Sequence, residues 1–405
     1  MMLWRGATNG ETTDRTARAL LALCVAAWAL VIPLVGVASA ATDHGIAWRG
    51  CSQSAATQYH AQCGTLQAPV NWTAPNGPSF GLALLRIPAT GTATGVVLAD
   101  SEDLAGYGGS EISFFLQHGS NFLSRLPHTH ATKDIVIFDP RGMGTSTGVN
   151  CSVPGHDPRV SAFPATPEAY GPLVSHNMAV FRSCRSMVTG LPLHMGILDQ
   201  ARDVEAIRLA LGAPRLNWLG QALGGELGLA YAALYPSHTG AMILDATMDP
   251  YRSMADRVTD VAAAEETEFQ RFASWCGQVA ADRCALHGQD VDKAFDAAVA
   301  KADAGGVSGG SELSRPLTGE ELRITAGQFL VGYTFAWGGL AQAIADANKG
   351  DGKVFGIYTA LTYTEPDYTA SRAQVCSDEL TGPSDYPQLR RLVGQVSRLA
   401  PRTRG

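Results

Sequence analysis

The sequence has no basic excess. Its 30 Lys and Arg are outnumbered by 37 Asp and Glu, giving a formal net charge of −7, and no basic tract interrupts that balance. A nucleic-acid binder needs a positive stripe to neutralise phosphates, so DNA and RNA are excluded as partners. Cys-x-x-Cys pairs and Cys/His ligand spacings are missing too, and no metal site is expected; His128-Thr-His130 reads as an ordinary pair ahead of a strand. The run Gly305-Gly306-Val307-Ser308-Gly309-Gly310 lacks a preceding strand and a following Lys-Ser or Lys-Thr, which argues against a phosphate loop and for a flexible linker. No cofactor is expected.

What is there is enough for a large core. Of 405 residues, 46% are hydrophobic and 17% charged, which is a globular balance rather than a disordered one. The length fits two or three domains, or one α/β domain with an inserted lid.

Arg5, Arg15 and Arg18 precede an apolar stretch from Ala19 to about Val37, followed by Ala38-Ser39-Ala40 and then Ala41. A basic start, an apolar centre and a small-residue cleavage site describe a signal peptide over residues 1–40. The stretch is long enough to anchor the chain if it is retained, whereas cleavage leaves no stable membrane span. Leu23 precedes Cys24 where a lipid-attachment signal needs a small residue, so lipidation is not expected. The expected location is secreted or in the cell envelope.

Beyond Cys24 lie seven cysteines, and in an oxidising compartment the sequence-local pairs are Cys51 with Cys63, Cys151 with Cys184, and Cys276 with Cys284. Cys376 is left over. An odd cysteine points to a free thiol, an intermolecular bond or a partner past residue 405.

Short apolar runs alternating with helical patterns predict an α/β core with a mostly parallel sheet over residues 41–250. Expected strands are Phe80 to Ile87, Gly95 to Ala99, Asp134 to Phe138, Arg215 to Leu219 and Ala241 to Asp245, with a helix over Ala201 to Leu211. From Tyr251 to Cys376 the pattern turns to helices rich in Ala, Glu and Asp, read as an inserted cap, and residues 377–405 hold a terminal helix over Tyr386 to Leu399. No strand follows, so the core is expected to be truncated, with an open sheet edge.

One segment carries the chemistry. Leu216 to Gly224 reads as a strand entering a tight turn, with a helix expected over Gly225 to Tyr235. That is the setting of a Gly-x-Ser-x-Gly nucleophile elbow, with Gly220 and Gly224 as the glycines. Ala222 stands at the centre. A methyl group has no lone pair to attack a carbonyl, so acyl transfer at this position is impossible.

These residues, with Asp139-Pro-Arg-Gly-Met-Gly-Thr-Ser146, Asp199-Gln-Ala-Arg-Asp203, Gly224-Gly-Glu-Leu-Gly-Leu-Ala-Tyr231 and Met242-Ile-Leu-Asp245, resemble the secreted bacterial tripeptidyl aminopeptidases and their proline-iminopeptidase-like relatives. The resemblance runs from about Trp48 onward and implies an α/β-hydrolase fold and a serine exopeptidase ancestry. It places Ala222 at the nucleophile position and implies an oxyanion region at Leu223, Gly106 and Tyr107. The loop Ala105-Gly106-Tyr107-Gly108-Gly109-Ser110 departs from the family's Gly-Gly-Pro-Gly. The family's catalytic Asp and His follow the cap, and neither is expected within residues 1–405.

A rearranged site built from Asp245, Asp249 and His238 would still need a nucleophile. Ser110 and Ser146 are the hydroxyls on nearby loops, and turn hydroxyls usually satisfy local backbone groups. Three readings stay open. The leading one is an inactive exported hydrolase-like protein with a peptide or small hydrophobic ligand under the cap; the others are an active peptidase whose sequence is altered, and a binding module for a protein partner.

Overall fold

The computed structural model describes residues 45–100, 110–249, 252–331, 334–364, 374, 377–378 and 382–403. Strands fill the first half. They are β1 (Arg49–Gly50), β2 (Gln62–Pro69), β3 (Ser79–Ile87), β4 (Val96–Asp100), β5 (Asp134–Phe138), β6 (Val149–Cys151), β7 (Cys184–Ser186), β8 (Leu216–Gln221) and β9 (Thr239–Asp245). The main sheet runs β1-β2-β3-β5-β4-β8-β9, while β6 and β7 pair as a separate antiparallel ribbon.

The junctions β5-β4, β4-β8 and β8-β9 are parallel, and those from β1 to β5 are antiparallel. Parallel strands must be joined by crossovers, and the helices supply them: α1 (Glu111–Ser124), α2 (Pro127–Thr132), α3 (Pro167–Ser183), α4 (Ile197–Ala210) and α5 (Leu223–Leu234). Every residue of Asp134-Ile-Val-Ile-Phe138 is buried, as a strand covered on both faces requires. On one face, Leu82, Leu98, Val136 and Trp218 pack against Val204 and Ile207 of α4 and Leu227 and Tyr231 of α5. On the other, Leu85, Ile87, Val97 and Ile137 meet Ile112, Phe115 and Leu116 of α1. This is a three-layer α/β sandwich.

Among the described residues after β9, the main elements are helices: α6 (Met254–Gln278), α7 (Val291–Asp303), α8 (Gly319–Val331), α9 (Trp337–Ala347), α10 (Lys353–Thr364) and α11 (Tyr386–Leu399). They own a separate apolar cluster, built on Phe269, Phe272, Phe295, Leu340 and Phe355. Helix α11 lies on α6 through Ala262, Val396 and Ala400, so the terminal helix joins the helical region.

Several expectations shift. The edge pair β1 and β2 was not foreseen; in β2 polar Thr65 and Gln67 alternate with buried Leu66 and Ala68, which hides a half-buried strand from a search for apolar runs. Strand β8 begins and ends later than Arg215 to Leu219, reaching Gln221. Gly305 to Gly310 is no flexible linker: Val307 is fully buried, Ser308 bridges to Pro316 and Asp351, and a Cβ on Gly356 would strike the Gly309 carbonyl. Gly306, Gly309 and Gly310 lie close against neighbouring backbone, and Gly305 and Gly310 adopt positive φ. His128 and His130 sit on the short helix α2, where the His130 ring meets the Pro88 carbonyl at 3.1 Å.

Candidate functional site, a nucleophile elbow without a nucleophile

Strand β8 ends at Gln221 and helix α5 begins at Leu223, so the whole turn is one residue, Ala222. Its φ of 51° and ψ of −116° lie where L-residues rarely go. The surroundings impose the strain. The Ala222 N–H donates to the Asp245 carbonyl at 2.9 Å, and its own carbonyl accepts from the Glu226 N–H at 3.1 Å. The Trp218 indole N–H donates to the Gly224 carbonyl at 3.0 Å. A Cβ on Gly220 would meet the Gly224 carbonyl carbon at 2.6 Å, and one on Gly224 would fall on the Asp100 carbonyl. Glycine at both positions lets strand, turn and helix touch backbone to backbone.

The Ala222 methyl is nearly buried. It offers no hydroxyl, so the elbow positions nothing that can attack. Leu223, expected in the oxyanion region, opens the helix and lines a cavity of about 290 Å³. Gly106 and Tyr107 lie outside the described residues.

That cavity has apolar walls of Leu223, Leu227, Ile197, Met248, Val258 and Val261. Across it, Arg257 of α6 donates to both carboxylate oxygens of Glu226 of α5, at 2.7 and 2.8 Å. This tie between the elbow helix and the first cap helix was missed, because 31 residues separate the partners and no local pattern links them. Gln374 and Asp378 complete the lining, and Asp378 accepts from the Ile197 N–H at 2.8 Å.

The other candidate hydroxyls are taken. Ser110 caps α1, accepting from the Ser113 N–H at 3.0 Å and donating to Asp139 at 2.8 Å. Ser146 donates to the Asp139 carbonyl and accepts from the Ala83 N–H at 2.8 Å. Asp139 is fully buried and also takes bonds from the Ile112 N–H and from Thr145, so the Asp-Pro-Arg-Gly segment is a structural knot. Arg141, buried beside Phe80, forks onto Asp203 at 2.7 and 2.6 Å and gives a third bond to the His194 carbonyl. Two of the sequence segments that stood out are thus one buried ion pair.

His238 turns to Glu205 rather than to Asp245. Its Nδ1 lies 2.9 Å from a Glu205 oxygen without hydrogen-bond geometry, while Arg208 and the Tyr231 hydroxyl donate hydrogen bonds to that carboxylate. Burial opposes charge on the Glu205 carboxyl, but the Arg208 and Tyr231 hydrogen bonds and the nearby His238 hold its pKa below the usual range. Asp245 lies instead beside a second cavity, of about 410 Å³, against α1.

The three expected disulfides, Cys51–Cys63, Cys151–Cys184 and Cys276–Cys284, are formed. Cys376 lies outside the described residues, as do residues 1–40. Among the described residues no helix is long and apolar enough to cross a membrane, and no group of three or more His, Cys, Asp or Glu could hold a metal ion.

A mixed sheet whose strands β5, β4, β8 and β9 run parallel, a one-residue elbow at positive φ and a helical layer above it coincide with one family model, the alpha/beta hydrolase fold, which matches residues 106–283. The chain belongs to the α/β-hydrolase fold. It is similar to a tripeptidyl aminopeptidase of Streptomyces lividans, 31% identical over 288 residues, covering 68% of this chain and 53% of that protein. It is also similar to the serine protease Hip1 of Mycobacterium tuberculosis, 32% identical over 302 residues and covering 70% and 56%. A carboxylesterase B of the same species is 31% identical over 242 residues, covering 57% and 45%. The chain spans about half the length of the curated relatives it matches.

Proposed function

We propose that this α/β-hydrolase relative of the tripeptidyl aminopeptidases and Hip1 serine proteases is an exported, non-catalytic member that binds a short peptide or a small hydrophobic ligand beneath its helical layer. The observation that carries the reading is Ala222: the elbow keeps its strained backbone and close glycine packing, while the atom that would form an acyl-enzyme is missing. Electrostatic stabilisation by helix and backbone donors cannot replace a nucleophile in a covalent mechanism.

Export is supported by the leader-like residues 1–40 and by three disulfides, which persist in oxidising compartments. Binding is supported by the cavity beside Leu223, whose apolar walls surround the Arg257–Glu226 pair. Apolar walls with a few converging polar groups suit a small ligand.

The test has two arms on purified residues 41–405. Tripeptidyl and aminoacyl chromogenic substrates should show no hydrolysis above the buffer rate, and calorimetry with tripeptides and with small aliphatic amides should show saturable heat. Turnover that persists at constant specific activity through successive purification steps would overturn the non-catalytic reading. A flat calorimetric trace for every ligand would overturn the binding reading.

A further inference from the structure

Residues 152–166 leave β6 and run to the start of α3, and along the way they grip the helical region. His156 Nε2 lies 3.0 Å from Glu321 of α8, a fully buried carboxylate that also takes a 2.9 Å bond from Arg315 and another from the Thr318 N–H. The neighbouring Glu320 accepts from the Ser161 hydroxyl at 2.8 Å and the Ala162 N–H at 3.0 Å. Farther on, the Tyr386 hydroxyl of α11 donates to the Ala165 carbonyl at 2.6 Å. One loop therefore holds the first turns of two helices.

The loop's own footing is slight. Helix α3 has 17 residues but buries only Val180, and a helix of that length without a packed face is marginal in water. The ribbon β6-β7 pairs three residues with three, and a two-stranded ribbon is weak by itself. Two hydrogen bonds tie the loop to α3, Val153 N–H to the Ser183 hydroxyl at 3.0 Å and His176 Nε2 against the Gly155 carbonyl at 3.3 Å, and the covalent closure is Cys151–Cys184, which joins the two ribbon strands across 33 residues.

We propose that residues 152–166 are a strap whose grip on α8 and α11 is set by the Cys151–Cys184 disulfide, so that a dithiol reductant loosens the edge of the helical region while the sheet stays folded. In the exchange the dithiol supplies two electrons and two protons; the S–S bond opens to two thiols and the reductant closes to its own disulfide. The freed segment then regains the chain entropy that the cross-link removed, and its polar ties to Glu320 and Glu321 must be made from a longer open loop.

Hydrogen exchange read by mass spectrometry on the full chain tests this. In Cys151→Ser/Cys184→Ser, with the other two disulfides intact, amides of residues 152–183 and of the first turn of α8 should exchange about tenfold faster or more, with β5 and β8 unchanged. Unchanged exchange in α8 would overturn the proposal, and so would an equal acceleration in β5 and β8, which marks a general staple. Should that variant not fold, His156→Gln with Ser161→Ala keeps every disulfide. It should speed α8 exchange and leave residues 167–183 as they were; unaltered α8 rates would again contradict the strap.

Discussion

At the scale of the residue, Ala222 is held in a backbone conformation that its own side chain disfavours. Strain of this kind costs on the order of 1–3 kcal/mol and persists where the surroundings over-determine it. Ala222→Gly removes the Cβ conflict but adds freedom to the unfolded chain, worth about 0.4–1 kcal/mol, so the variant should be as stable as the parent or up to about 2 kcal/mol more stable in urea unfolding. A loss above about 1 kcal/mol would mean the turn is not strained as described. The elbow was legible because its signal is local: two glycines, a strand before and a helix after. Glu226 and Arg257 were not, since nothing near either residue in sequence announces a partner 31 positions away.

At the scale of the element, strand, turn and helix at the elbow fit only without side chains at the glycines. Gly224→Ala would drive a methyl into the Asp100 carbonyl and should cost about 1–3 kcal/mol, read as a lower urea midpoint at unchanged slope. In α6, burial pushes the Glu265 pKa up to about 7 from an ordinary 4.5. The folded chain then binds a proton that the unfolded chain has released, so stability falls as pH rises from about 4.5 to 7. Glu265→Gln should leave stability unaltered at pH 4 and raise it by about 2–3 kcal/mol at pH 8. Parallel central strands such as Asp134 to Phe138 announced themselves as continuous apolar runs, whereas β2 did not, because a half-buried edge strand alternates with polar residues that resemble loop. The Gly305 to Gly310 segment misled for a related reason: glycine marks close backbone approach as well as flexibility, and composition cannot separate the two.

At the scale of the whole molecule, the sheet core rests on a polar knot as well as on apolar layers. Asp203→Asn would strip the Arg141 guanidinium, buried beside Phe80, of its forked carboxylate and leave only the Asp199 carboxylate at 4.0 Å, and should cost about 3–5 kcal/mol in chemical unfolding. A cost under 1 kcal/mol would show that the carbonyls of Val70 and His194 suffice to hold the cation. The α/β architecture and the cysteine pairing were readable in the sequence because periodicity and short loop closures are local properties. The union of Arg141 with Asp203, and of His238 with Glu205, was not, because each depends on crossovers that bring distant segments together. The elbow presents no nucleophile. Intact-mass measurement after incubation with an excess of a fluorophosphonate tests it most directly. The parent chain should keep its unmodified mass; a stoichiometric adduct, mapped by peptide sequencing to any serine, threonine or tyrosine hydroxyl, would show an activated nucleophile and contradict this.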